Sequence, residues 1–211
     1  YQYSQKQLTR SYRVPSDVLT YAQQFLEASR VKVLPSEPFL ERENSLEFSV
    51  ITDPKSRVMD AIARATQHLG NKESVLLLAS RAEREIFQNY NFPDNGNAHV
   101  RVMDPTEVKG LEFDAVIIVN PDQILADFPW AKSRLARLFY VLSTRSTKKL
   151  VLIGDEEESL KRPLDSFEDE EFEIEEDSVS DEFNELIKSL DLTLESVSIP
   201  VTHNEVPRLA S

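Results

Sequence analysis

The sequence predicts an α/β fold in which a mostly parallel sheet is covered by helices on both faces. The first observation is the run at 115–119, five consecutive small or β-branched apolar residues, which is typical of a strand buried on both faces. The second is that similar runs recur at 75–79 and 150–153, with amphipathic helical patterns between them. Hydrophobic residues make up 40% of the chain, which is enough for a packed core.

The first predicted unit is a strand followed by a helix. Residues 7–11 read as a strand that leads through Pro15 into a helix, which places Tyr12 and Arg13 at the carboxyl end of the strand. The apolar positions at helical spacing are Val18, Leu19, Ala22, Phe25 and Leu26. Residues 30–45 contain two prolines among charges and are expected to form an exposed excursion.

The middle of the chain repeats the strand and helix alternation. The predicted elements are a strand at 46–51, a helix from Pro54 to Gly70, a strand at 75–79, a helix to about 89, a turn at 93–96 and a strand at 98–103. After the central strand we expect a loop at 122–130 with the only tryptophan, a helix at 131–143 and a last strand at 150–153. Ligands of such sheets lie outside the carboxyl ends of the strands, so we expect functional residues at that edge.

The charge of the chain is very unevenly distributed. Residues 155–185 hold 16 acids and 2 bases, a net charge of −14, whereas the rest of the chain is nearly neutral with 21 acids and 22 bases. We therefore predict one domain over 1–154 and an acidic, partly disordered tail over 155–211, with a short helix at 181–190 and a strand at 192–201. The neutral body can still present a local basic face to nucleic acid.

Composition excludes several classes of protein. The chain has no cysteine, so disulfides and thiolate metal sites are impossible, and its three histidines are isolated. It has neither a signal peptide nor an apolar run long enough for a membrane span, which predicts a cytoplasmic protein without a membrane partner. The chain does not begin with Met, and we expect it to be a fragment of a longer protein.

Three segments carry a family resemblance. They are Leu8-Thr9-Arg10-Ser11-Tyr12-Arg13-Val14-Pro15, Val108-Lys109-Gly110-Leu111-Glu112-Phe113-Asp114 and Arg137-Leu138-Phe139-Tyr140-Val141-Leu142-Ser143-Thr144-Arg145-Ser146. In this order they resemble the three C-terminal motifs of the UvrD/Rep-like superfamily 1 helicases, and the resemblance covers residues 7–154. The looser middle motif is most similar to the HelD or helicase IV-like branch. The resemblance implies a RecA-like fold for the second motor domain of such a helicase.

The resemblance implies roles for individual residues. Arg13 and Arg145 match the family arginines that reach the γ-phosphate of ATP from the second motor domain. Tyr12 matches the residue whose ring packs against the adenine, and Glu112 matches the glutamate near the nucleotide sugar. Without the resemblance, the arginines would be interpreted as surface ion pairs, Tyr12 as core and Glu112 as a solvated loop charge.

The middle motif also implies a link to nucleic acid. Lys109 matches the lysine that couples the nucleotide and nucleic-acid sites. Gly110, which we expect to be one of the nucleotide-binding residues, lies in a tight loop that needs either a positive φ or a close approach to the backbone. Many family members have a histidine facing single-stranded DNA where this chain has Thr106. A threonine can bond a phosphate, although the acidic neighbours of Thr106 weaken that interpretation.

The chain lacks the other half of an ATP site. It has no G-x-x-x-x-G-K-[ST] loop to cradle phosphates and no acidic pair at a strand end beside one to hold magnesium. The resemblance therefore implies that ATP and Mg²⁺ require an upstream P-loop motor domain of the same protein. We expect the fragment alone to be inactive and the full-length protein to be an ATP-dependent DNA helicase or translocase acting on single-stranded or duplex DNA. The alternative is an interaction module that remodels a protein complex such as RNA polymerase.

Overall fold

The computed structural model describes residues 10–29, 37–40, 44–67, 73–92 and 99–167, all of which belong to one unit, Tyr1–Glu170. Its strands are β1 (Arg10–Pro15), β2 (Glu37–Leu40), β3 (Leu46–Val50), β4 (Ser74–Leu78), β5 (His99–Val102), β6 (Phe113–Val119) and β7 (Ser146–Gly154). Its helices are α1 (Ser16–Ala28), α2 (Pro54–Gln67), α3 (Arg81–Gln88), α4 (Pro121–Ala126), α5 (Lys132–Ser143) and α6 (Glu157–Lys161), and a 3-10 helix spans Pro105–Val108.

The main sheet has five strands in the order β3, β7, β6, β4, β5, and every pairing within it is parallel. β6 lies in the centre, and the apolar run from Val116 to Val119 is fully buried, as its sequence predicts. The predicted fold class, an α/β domain with a mostly parallel sheet flanked by helices, is confirmed.

Both faces of the sheet are covered because side chains alternate along each buried strand. On one face Leu76, Val116 and Leu150 pack against α1, α4, α5 and α6. On the other face Leu77 and Ile117 pack against α2 and α3. The two hydrophobic clusters explain why the buried strands show unbroken apolar runs.

The first strand differs from the prediction. β1 extends to Pro15, so Arg13 lies within the strand and not at the carboxyl end of a strand over residues 7–11. The reason is a second small sheet, in which β1 pairs in parallel with β2. β2 lies inside the segment that was expected to be an exposed excursion. Its sequence is Glu-Pro-Phe-Leu, and the strand was not predicted because proline is unusual within strands.

Two helices, α4 and α6, were not predicted, and one strand starts earlier than predicted. Residues 121–126 form α4 where a loop was expected, because Asn120 takes a left-handed conformation (φ 48°) and Pro121 then starts a helix that buries Ile124 and Leu125. β7 begins at Ser146, four residues before its predicted start. In α6 and just beyond it, Leu160 and Leu164 are buried in the core, which differs from the loose chain expected after residue 154.

Several predicted features lie outside the described residues. These are the helix end at Gly70, the turn at 93–96, the helix at 181–190 and the strand at 192–201. The domain boundary at 154 therefore stays a prediction. Within the part of the chain that the structure describes, no helix has both the length and the apolar character needed to cross a membrane.

Candidate functional site

Arg13, Glu112 and Arg145 come together at the amino ends of β6 and β7. Glu112 directly precedes β6 and Arg145 directly precedes β7, and the amide of Phe113 donates to the carbonyl of Arg145 at 3.0 Å. Arg13 reaches the same place from β1, where its Nη1 forms an ion pair with Oε1 of Glu112. The structure thus assembles one cluster from the three sequence segments.

This cluster lies at the opposite edge of the sheet from the one expected. The rule that ligands lie at carboxyl ends concerns loops that follow strands, whereas Glu112 and Arg145 are in segments that precede theirs. The expectation of a carboxyl-edge site is therefore wrong for these residues. A cluster at this edge can serve a ligand that is held mainly by another domain.

The guanidinium of Arg145 is half-buried and held by backbone. Its Nε donates to the carbonyl of Val141 at 3.0 Å and its Nη1 to that of Leu111 at 3.3 Å, and Nη2 contacts Oγ1 of Thr144 at 3.4 Å. A guanidinium has five N–H donors, so two are left by these bonds. Burial lowers the pKa of Arg145 and the charge of Arg13 adds to this, while Glu112 acts in the opposite direction.

Tyr140 belongs to the same cluster and was missed as a site residue. It lies in α5, five residues before Arg145, is partly buried, and is close enough to both arginines to interact with them electrostatically. Burial raises the pKa of the Tyr140 phenol, and the charges of Arg145 and Arg13 oppose that rise. The spacing of Tyr140 and Arg145 within one motif was the signal that could have found it.

The backbone of the loop before β6 explains why residue 110 is a glycine. Gly110 has φ +79°, and a Cβ atom added there would meet nothing within 4 Å. The left-handed backbone alone favours glycine here, and the nucleotide-binding role of Gly110 stays a prediction. Lys109 at the end of the 3-10 helix is exposed.

Thr106 is already engaged by its own turn. Its amide and its hydroxyl donate to Oδ1 of Asp104 at 3.0 and 2.7 Å. The hydroxyl oxygen stays exposed and keeps acceptor capacity, so a contact with a phosphate would require the hydroxyl proton to leave Asp104. The backbone of Tyr12 lies in β1, but its side chain is outside the described part of the structure, and its adenine role stays a prediction.

A second polar cluster lies at the carboxyl edge of the sheet and was not predicted. Arg57 of α2 is only 3% exposed and forms ion pairs with Asp155 and, at 3.8 Å, with Glu83 of α3. The side-chain amide of Asn120 donates to the same Glu83 oxygen at 3.1 Å. Burial raises the pKa of Glu83, and Arg57 and Asn120 oppose that rise. These contacts join α2 and α3 to the segments that follow β6 and β7.

One cavity lies away from the predicted residues. A cavity of about 510 Å³ between α1 and the start of α5 is lined by Gln24, Lys132, Arg162 and others, none of them predicted site residues. We place the candidate site at the Arg13, Glu112 and Arg145 cluster because it joins the three predicted segments. Among the described residues, no group of three or more His, Asp or Glu side chains is arranged to hold a metal ion.

Comparison with known families agrees with the sequence resemblance. Residues 99–153, from β5 to β7, match the model of the UvrD-like helicase C-terminal domain. The resemblance to the UvrD-like helicases is confirmed over this segment. It includes Thr106, Lys109, Gly110, Glu112 and Arg145, whereas Tyr12 and Arg13 lie before it. The narrower HelD or helicase IV-like assignment stays a prediction.

A solved structure is also similar to this chain. It is the C-terminal domain of a possible DNA helicase from Lactobacillus plantarum WCFS1, with 20% identity over 68% of this chain and 87% of that one, and a TM-score of 0.43. No curated protein matches the chain.

Proposed function

We propose that this chain is the C-terminal motor domain of an ATP-dependent DNA helicase or translocase, and that Arg13 and Arg145 contact the γ-phosphate of ATP. The observation that carries the proposal is the meeting of Arg13, Glu112 and Arg145 at one edge of the sheet. The UvrD-like match of residues 99–153 supports the family. ATP and Mg²⁺ would be held mainly by an upstream P-loop domain.

The charges of the cluster suit a polyphosphate. Two guanidinium groups share one carboxylate, which leaves a net positive charge before any ligand arrives. The side chains of Arg13 and Glu112 are 43% and 47% exposed, and ion pairs as exposed as this one contribute little to stability. Arg13 can therefore exchange Glu112 for a phosphate oxygen at small cost, while Glu112 becomes available to the sugar.

Arg145 differs from Arg13 because its position is fixed in advance. The carbonyls of Val141 and Leu111 orient its guanidinium, and the two remaining N–H donors suit a bidentate contact with phosphate. A donor that is already oriented loses little reorganisation energy when charge develops in the transition state. We therefore assign transition-state stabilisation mainly to Arg145 and a ligand-dependent contact to Arg13.

The experiment is a steady-state ATPase assay of the full-length protein. Arg13→Ala and Arg145→Ala should lower kcat by up to about 10³ with a smaller effect on KM, because arginines of this kind act on transition-state charge. Arg145→Lys should also be impaired, since an ammonium cannot reproduce the fork. Arg81→Ala is the matched control, because Arg81 is an exposed arginine of α3 on the opposite face of the sheet.

Unchanged turnover in both Arg13→Ala and Arg145→Ala would contradict the assigned roles. The 211-residue chain alone is expected to be inactive, because it has no phosphate-binding loop. Turnover by that chain, lost in Arg145→Ala, would contradict the division of the site between two domains. Remodelling of RNA polymerase stays a prediction from the sequence.

A further inference from the structure

We propose that the hydroxyl of Thr144 is a positioning group for Arg145 and holds its guanidinium in the orientation that the nucleotide requires. The inference rests on the proposed role of Arg145 and extends the site to a side chain that lies behind it. Thr144 is only 4% exposed. A buried hydroxyl needs hydrogen-bond partners, and the partners of Thr144 determine what it can do.

The hydroxyl proton of Thr144 is committed to the end of α5. Its Oγ1 lies 2.9 Å from the carbonyl oxygen of Tyr140 and 3.2 Å from that of Val141. Both carbonyls can only accept, so they share the single hydroxyl proton. Oγ1 therefore has only lone pairs left to offer, and Nη2 of Arg145 lies 3.4 Å from it. The direction of each bond is thus fixed, because Arg145 donates to Thr144 and Thr144 donates to the carbonyls.

Thr144 provides the one side-chain contact among the three hydrogen bonds that hold the guanidinium. The other two acceptors are the backbone carbonyls of Val141 and Leu111, which a side-chain substitution leaves in place. Because the guanidinium is planar, contacts on its three nitrogens fix its plane as well as its position. One N–H group then remains on Nη1 and one on Nη2. The contact with Thr144 therefore orients a nitrogen that must also face the phosphate.

The alternative is that the Thr144 hydroxyl only terminates the helix. The last carbonyls of α5 do need partners, but these two have others. The amide of Thr144 donates to the carbonyl of Tyr140 at 3.1 Å, and Nε of Arg145 donates to that of Val141 at 3.0 Å. Among the described residues, Nη2 of Arg145 has no acceptor besides Thr144. Loss of the hydroxyl should therefore affect Arg145 more than it affects the helix.

The test is a steady-state ATPase assay of the full-length protein with Thr144→Val, which removes the hydroxyl at nearly constant side-chain volume. We expect kcat to fall about tenfold, less than in Arg145→Ala, because the guanidinium is still present but is less well oriented. KM should change by less than about twofold, since the contact serves a group that acts on transition-state charge. Thr144→Ser keeps the hydroxyl and should retain most of the turnover.

Thr20→Val is the matched control. The hydroxyl of Thr20 in α1 donates to the carbonyl of Ser16 at 2.9 Å, the same bond to the fourth preceding residue that Thr144 forms with Tyr140. The Thr20 bond involves no guanidinium, so Thr20→Val should keep the kcat and KM of the unmodified protein. Melting temperatures show whether each variant is folded. If Thr144→Val does not fold, Thr144→Ser and Thr144→Ala form a second pair that differs by one hydroxyl.

The decisive variant combines Thr144→Val with Arg145→Ala. If Thr144 acts through Arg145, its hydroxyl has nothing to position once Arg145 is gone, so the double variant should turn over ATP as slowly as Arg145→Ala alone. A further tenfold loss, of about the size seen in Thr144→Val, would overturn the proposal, because the hydroxyl would then act independently of Arg145. Equal losses in Thr144→Val and Thr144→Ser would also overturn it, since the hydroxyl would not be the cause.

The outcomes separate this inference from the proposed function. A normal kcat in Thr144→Val together with a strong loss in Arg145→Ala would remove the role of Thr144 and leave that of Arg145 intact. A normal kcat in Arg145→Ala would overturn the proposed role of Arg145, and the positioning role of Thr144 would be wrong with it.

Discussion

Arg13 and Glu112, 99 positions apart in the chain, form an ion pair that joins β1 to the loop before β6. The pair links the first of the three helicase-like segments to the second. Nearly half of each side chain is exposed, so water and salt screen the attraction between them. The pair therefore contributes little to the stability of the fold.

The first prediction follows from that exposure. Arg13→Ala and Glu112→Gln should each change the free energy of unfolding by less than about 1 kcal/mol, as is usual for exposed ion pairs. Urea denaturation followed by circular dichroism measures this change. A larger loss in either variant would mean that any loss of ATPase activity could reflect misfolding, and the role assigned to Arg13 would then lose its support.

The second prediction concerns the buried pair at the opposite edge. Arg57→Met should destabilise the protein by about 3–5 kcal/mol, because it leaves Glu83 buried without its cation. The double variant Arg57→Met with Glu83→Gln should recover part of the loss, since the uncompensated charge is gone. Urea denaturation of the two single variants and the double variant gives the coupling energy. Additive losses would contradict a direct interaction between Arg57 and Glu83.

The fold could be predicted from the sequence wherever burial leaves a local pattern. β6 was predicted because Ala115 to Val119 are apolar on both faces, and that pattern requires only that the strand be covered twice. β2 and α4 were not predicted because neither element is caused by a pattern within its own sequence. β2 exists through pairing with β1, and α4 starts where Asn120 turns the chain at the end of β6.

The candidate site, like the fold, could be predicted from the sequence only in part. Arg13, Glu112 and Arg145 were selected through a family resemblance, and no periodicity in the sequence would have brought them together. Their position at the amino edge was mispredicted, because the carboxyl-edge rule was applied to residues that precede their strands. Arg57 and Glu83 lie 26 positions apart without a motif, so their contact becomes visible only once α2 and α3 are placed on the sheet.

The third prediction tests why residue 110 is a glycine. Gly110→Ala should destabilise the loop by about 1–2 kcal/mol, the cost of a left-handed conformation for a residue with a Cβ atom. Gly110→Asn should cost less, because asparagine tolerates this conformation better. Thermal unfolding of the two variants gives the order. An equal cost would contradict the conformational explanation, since a Cβ atom at this position meets no neighbour within 4 Å.

The last prediction concerns the acidic segment. Removing everything after residue 154 would also remove Leu160 and Leu164, which are buried in the core, so the truncation must begin at residue 168. Residues 168–211 carry 14 acids and 2 bases, a net charge of −12, and this charge is tethered to the domain that is expected to contact nucleic acid. At physiological salt the screening length is about 8 Å, so the segment repels a phosphate backbone most strongly at low salt. We therefore expect removal of residues 168–211 from the full-length protein to raise its affinity for oligothymidylate at low salt, with a gain that shrinks as salt rises.

Replacement of the acids in this segment by glutamine and asparagine, at constant length, should give the same gain, which separates the effect of charge from the effect of chain length. Equal affinity at every salt concentration would mean that the segment is merely solvated, and a loss of affinity would contradict the repulsion and assign the segment a supporting role.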